Sequence, residues 1–161
     1  MHFWGHLKTV THHRFLVLQG CFRVGLYYQG LTHDLSKFSP TEFREGIKYY
    51  QGYRSPNARE REEKGYSLAW MHHKGRNRHH YEYWTDLSPR TLRYEPVQMP
   101  RRYLVEMVMD RRAASMTYQG DKYTDASPYL YFERSRERLL MHPETERELC
   151  FLLEMLRDQG E

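Results

Sequence analysis

The feature that most constrains this chain is an apolar stripe near its start that carries a histidine. Phe3, Leu7, Val10, Val17, Cys21 and Val24 recur at three, four or seven residues, the spacing of one face of an α-helix. The pattern predicts a helix from Phe3 to Tyr28, with Gly30 as its stop, since glycine takes positive φ freely. His13 lies between Val10 and Val17 and rides the stripe; His6 sits seven residues earlier on a similar face, and His12 points elsewhere.

The same periodicity continues along the chain. Ser39-Pro40-Thr41-Glu42 has capping-box spacing with proline at the first helical position, and opens a helix expected to reach Tyr50. A loop over 51–57 leads to a third helix, from Ala58 through the charged run to Met71. Gly75 either ends it or marks a weak point within it. Tyr81 to Trp84 reads as a helical turn. Leu87 to Pro100 reads as irregular, with a short extended piece at Thr91 to Tyr94. Arg101 to Tyr118 is a helix with Leu104, Met107, Val108 and Ala114 inward. Ser127-Pro128 begins another, to about Leu140, and Pro143 begins the last, with Leu149, Leu152, Leu153 and Leu156 as its core stripe. There is no strand series and no internal repeat. The fold class is all-α, a bundle of six or seven helices forming one domain over 1–161. A metal-site core spans 6–118 and C-terminal helices span 127–159.

Charge and hydropathy narrow the function classes. Charged residues make up 29%, mean hydropathy is −0.92 and net charge is +4. That excess is too small to mark a nucleic-acid binder, although it favours anionic ligands slightly. Phe15 to Leu31 is the most apolar stretch, but Gln19, Arg23 and Gln29 interrupt it, so no membrane partner is expected. The start lacks the apolar run of a signal peptide, and Cys21 and Cys150 sit in no CxxC site. The protein reads as cytoplasmic.

Chemistry is concentrated in the histidines. Seven of the ten fall in three places: His12-His13, His33, and the block His72, His73, His79, His80. His33 adjoins Asp34 just after the predicted helix stop. If the third helix ran on, His73, Asn77 and His80 would share one face. Asp110 sits on a mostly apolar helix face, three residues after Met107 and four before Ala114. An unpaired charge there is costly; a buried salt bridge to an arginine is the ordinary way to satisfy it, and a metal would satisfy it too. Glu106, one turn earlier, is placed to support a ligand or to act as a base. A mixture of imidazole and carboxylate suits iron, manganese, cobalt, nickel or zinc.

The order His13, then His33-Asp34, then Asp110 resembles the H…HD…D signature of the HD-domain metal-dependent phosphohydrolases. His13 followed by Val17, the turn His33-Asp34-Leu35-Ser36-Lys37, and Asp110 followed by Ala113 are each similar to that superfamily's motifs. His79-His80-Tyr81-Glu82 looks like the added histidines of members that hold more than one metal. The runs HDLSKFSPTEF, HHKGRNRHHYEYW and MPRRYLVEMVMD are closer still to a small family of bacterial and phage proteins without an assigned function. The chain departs from the cyclic-dinucleotide phosphodiesterase branch: its middle histidines are more closely spaced and no GYP follows Glu82.

The resemblance implies an all-α bundle around a cleft holding one or two divalent transition metals. His13, His33, Asp34 and Asp110 would hold the first, with His73, His79 and His80 as candidates for the second. It implies hydrolysis of a phosphate ester or nucleotide, with Lys37, Asp34 and Glu82 as the catalytic candidates. Lys37, Arg76, Arg78 and Asn77 are the substrate-binding candidates, the arginines as bidentate phosphate clamps. Two other readings stay open. One is a di-iron or di-manganese enzyme acting on oxygen or peroxide. The other is a metal-stabilised module binding protein or nucleic acid through Arg101, Arg102, Arg111, Arg112 and the series Arg134, Arg136, Arg138. Glu133 and Glu137 alternate with that series, which favours a solvated helix face.

Overall fold

The computed structural model describes residues 2–160; the two ends of the expected 1–161 span lie outside them. Its order is α1 (Phe3–Arg23), α2 (Tyr27–Thr32), α3 (Pro40–Lys48), α4 (Pro56–Lys64), α5 (Leu68–Lys74), β1 (Thr85–Leu87), β2 (Tyr94–Pro96), α6 (Arg101–Gln119), α7 (Ser127–Ser135) and α8 (Pro143–Gln159). The two strands pair antiparallel, with Asp86 opposite Glu95. The chain is all-α, a helical bundle carrying one small hairpin.

Several expected boundaries move. The first helix was expected to reach Tyr28; α1 stops at Arg23, Gly25 turns the chain at φ +76°, and α2 folds back against α1. Gly30 is therefore not a stop but a buried contact inside α2, where a Cβ would meet Cys21 at 3.0 Å. The third expected helix is two: Gly65, at φ +82°, ends α4, and the Ser67 side chain accepts from the Trp70 amide to start α5. The irregular stretch after Leu87 includes the second strand, and α7 ends at Ser135, not at Leu140, followed by a single 3-10 turn.

Two packing seams set the frame. Leu16, Val17 and Cys21 of α1 meet Ala113 of α6. Leu104, Met107 and Val108 of α6 meet Phe132 of α7 and Leu149 and Leu153 of α8. Thus α6 is the central post, with α1 along one side and α7 and α8 on the other, while α3 packs on α5. No helix among the described residues is long and apolar enough to cross a membrane.

Candidate metal centre

The centre is built around one strained turn. After α2, His33 takes extended ψ (127°) and Asp34 adopts the left-handed conformation, at φ 55° and ψ 26°. Aspartate tolerates that region better than most residues, though at some cost. Arg14, next to His13 on α1, pins the turn from behind: its Nε donates to the His33 carbonyl at 2.8 Å and an Nη to that of Leu31 at 3.3 Å. The Asp34 carboxylate is thereby sent inward, 1% exposed.

Asp34 faces two groups of imidazoles with its two oxygens. Toward Oδ2 lie His33 Nε2 at 3.3 Å and His13 Nε2 at 3.7 Å, and Asp110 Oδ1 closes that group, 2.9 Å from His13 Nε2 and 3.5 Å from His33 Nε2. Toward Oδ1 lie His73 Nε2 at 3.2 Å and His79 Nε2 at 3.3 Å, with the buried His80 beside them. Each set of four, His13–His33–Asp34–Asp110 and Asp34–His73–His79–His80, has ligand atoms within 4.8 Å of one another and can hold a metal ion. Despite the short distances, His13 Nε2, His33 Nε2, His79 Nε2, His80 Nε2 and Asp34 Oδ1 are buried without a hydrogen-bond partner. These atoms converge without satisfying one another, and the donor set fits a borderline divalent metal.

Two glutamates orient the rings. Glu106 Oε1 lies 2.9 Å from His33 Nδ1 and 3.1 Å from His79 Nδ1. Glu42 Oε2 lies 2.7 Å from His73 Nδ1, and its Oε1 2.7 Å from His72 Nδ1. Burial alone would raise both carboxyls; the hydrogen bonds from these histidines reverse that and hold them low and ionised. An ionised carboxylate only accepts, so each Nδ1 donates and, in a neutral ring, Nε2 keeps its lone pair for a metal. His33, His79 and Glu106 form a third close group, whose Nδ1 atoms already serve these hydrogen bonds. His73, not His72, therefore faces Asp34.

Charge in the centre is finely opposed. Burial would lower the His33 pKa, but Asp34, Asp110 and Glu106 raise it well above the ordinary value. Asp34 and Asp110 would be raised by burial, yet the histidines, with Lys37 beside Asp34, hold both well below. His80 is pushed well down by burial and by His79 and His73. Lys37 follows Asp34 by three residues and its Nζ lies 2.6 Å from Asp34 Oδ2.

A cavity of about 640 Å³ opens beside the centre, lined by His13, Lys37, His73, His80, Glu82 and Asp110 among others. Glu82 is half-buried, and its Oε2 has no hydrogen-bond partner. The cations expected to clamp a phosphate are elsewhere. Arg76 is exposed and donates to the His72 carbonyl at 3.3 Å, while Arg78 is exposed and donates to the Tyr103 hydroxyl at 3.1 Å. Neither lines the cavity. Because α5 stops at Lys74, residues 75–80 form turns and not one continuous face: Asn77 and the block's last two histidines turn in, and the arginines turn out. Asn77 is buried, its amide spent on Ser36 Oγ and the His73 carbonyl, both at 2.8 Å. In the arginines' place stand Arg61 of α4 and Arg111 of α6, which line the cavity and close no ion pair among the described residues. Burial holds Arg111 below its ordinary pKa. Sequence reasoning missed Arg61 and Glu42 as site residues and assigned Arg111 only to a polyanion surface. Glu42 had been accounted for as a helix-cap partner, and only its backbone N–H serves Ser39. Of the arginines considered for a polyanion, Arg101 faces Glu148 at 3.3 Å and Arg136 faces Glu146 at 2.6 Å.

Residues 2–155 match the family of unknown function DUF5662, and the chain belongs to that family. No curated protein and no solved structure matches it.

Proposed function

We propose that this DUF5662 member is a metal-dependent hydrolase of phosphate esters, nucleotides among them, with an HD-type ligand order and two metals per chain. One observation carries the reading: a single buried carboxylate, Asp34, turns each of its two oxygens to a different set of imidazole Nε2 atoms. His13, His33, Asp34 and Asp110 would hold one divalent metal; Asp34, His73, His79 and His80 would hold the other. Bound there, such a pair supplies Lewis-acid charge to phosphoryl oxygens and acidifies a water.

The chain's own groups do the rest. Lys37 reaches the cavity from the Asp34 turn and meets the substrate anion. Arg111, half-buried at the wall and in no ion pair among the described residues, takes a phosphoryl oxygen in the role first given to Arg76 and Arg78. Glu82, with its bare Oε2, is placed to accept a proton. Trp70, Tyr50 and Tyr118 line the remaining wall and hold the organic part of the ester. A cavity with Lys37, Arg61 and Arg111 in its lining suits an anion better than the closed apolar surroundings expected for oxygen chemistry.

The test uses protein purified without a polyhistidine tag, loaded with manganese, cobalt, nickel, iron or zinc, and assayed on phosphomonoesters, nucleotides and phosphodiesters. Phosphate release should disappear in His33→Ala and Asp34→Ala, which lose metal while keeping helix content. Oxygen or peroxide turnover without phosphate release would replace this reading with the redox one. Tight polyanion binding without turnover would leave a binding module.

A further inference from the structure

His33 and His79 come from turns 46 residues apart and belong to different ligand sets. Their rings nonetheless lie against each other, with centroids 4.3 Å apart and planes at 35°. Both Nδ1 atoms point to the same oxygen, Glu106 Oε1, and Glu106 is 5% exposed. One buried oxygen accepting two N–H groups fixes both rings at once: moving either ring shifts the acceptor of the other. Glu42 differs. It gives separate oxygens to His72 and His73, and only His73 belongs to a ligand set.

We propose that Glu106 is a positioning residue that makes the two metal positions fill together, whereas Glu42 serves the second position alone. The proposal rests on the two-metal reading above. Through Glu106, filling the His13–His33–Asp34–Asp110 position orders His79 for the other position, and the reverse holds with equal strength. Loss of its charge weakens the basicity and the aim of both imidazoles, an effect of about 10- to 100-fold in affinity for such supporting contacts.

The experiment is a titration of chelator-stripped full-length chain with Zn²⁺ alone, read by calorimetry, for wild type, Glu106→Gln and Glu42→Gln. Wild type should take two Zn²⁺ cooperatively. Glu106→Gln should weaken both by about 10- to 100-fold and abolish the cooperativity, while Glu42→Gln weakens one. If Glu106→Gln weakened one site only, or neither, the proposal would be overturned. A second measurement needs no variant: long-range ¹H–¹⁵N spectra of ¹⁵N-histidine wild type with Zn²⁺ should show His33 and His79 protonated at Nδ1. Coordination through either Nδ1 would also overturn it, even if Glu106→Gln failed to fold. Wild type that bound fewer than two Zn²⁺ would fail differently, by removing the two-metal reading itself.

Discussion

Replacing Lys37 with methionine keeps the side-chain stem and removes only the charge beside Asp34. Nζ and Asp34 Oδ2 are 2.6 Å apart, and the two side chains are 29% and 1% exposed. Burial by itself would lower the lysine and raise the aspartate; Asp34 outweighs it for the lysine, and His33 together with Lys37 and His73 outweighs it for the aspartate, so the pair is ionised through neutral pH. Breaking a fully buried pair costs about 3–5 kcal/mol, and the lysine's exposure screens this to about 2 kcal/mol. For a chain of this size each kcal/mol moves the melting temperature by about 2–4 °C, so Lys37→Met in chelator should melt about 4–8 °C lower. A divalent cation at Asp34 then replaces the missing ammonium. Returning about 2 kcal/mol on binding makes metal association about 30-fold tighter. Hydrolysis should still fall, by about a hundredfold, for want of a charge facing the developing anion. Scanning fluorimetry with chelator and with Zn²⁺, calorimetric Zn²⁺ titration and the phosphate assay read the three effects. An unchanged melt in chelator together with weaker Zn²⁺ binding would show that the lysine neither competes for Asp34 nor stabilises it.

Three other expectations follow from the cavity wall. His6 is lowered to about 4 by burial, with the Lys37 ammonium adding to it. The unfolded chain therefore protonates first, and His6's contribution is complete above its ordinary value of 6.5 and lost as pH falls toward 4. Urea midpoints between pH 7 and 4.5 should fall more steeply for wild type than for His6→Phe; parallel slopes would refute this. A Cβ at Gly46 would run into the His6 imidazole, so Gly46→Ala should cost about 1–3 kcal/mol by overpacking, measured by chemical denaturation. Arg111→Ala should lower kcat/KM about a hundredfold or more, while Arg78→Ala, outside the cavity, leaves it unchanged; equal losses would return the phosphate contact to the histidine-block arginines.

What the sequence made legible is what helix periodicity carries. His13 on its apolar stripe and Asp110 among Leu104, Met107 and Val108 were readable because a 3.6-residue period fixes which side chains turn inward. The His33-Asp34 pair was readable because the two chemistries adjoin. What periodicity cannot carry is convergence between turns. His79 and His80 are buried because the chain reverses after Gly75, and the same reversal turns Arg76 and Arg78 outward. Glu42 sits at a helix start where a glutamate needs no further explanation. Its partners His72 and His73 lie 30 and 31 residues away.

A buried ion-pair network would account for part of this centre, and the difference between that and a metal site lies in what stays unsatisfied. Ion pairing explains Lys37 on Asp34 and the two glutamates on their imidazoles. It does not explain why four histidine Nε2 atoms and Asp34 Oδ1 are buried without a hydrogen bond, when each unsatisfied group costs about 1–3 kcal/mol. Nor does it explain the left-handed Asp34, whose conformation Arg14 is spent to hold. A chain selected for stability alone gains more from apolar residues packed in such a place. In His33 and His79 the Nδ1 atoms are served by Glu106 while the Nε2 atoms are left bare, and that division matches what a metal ion requires of an imidazole.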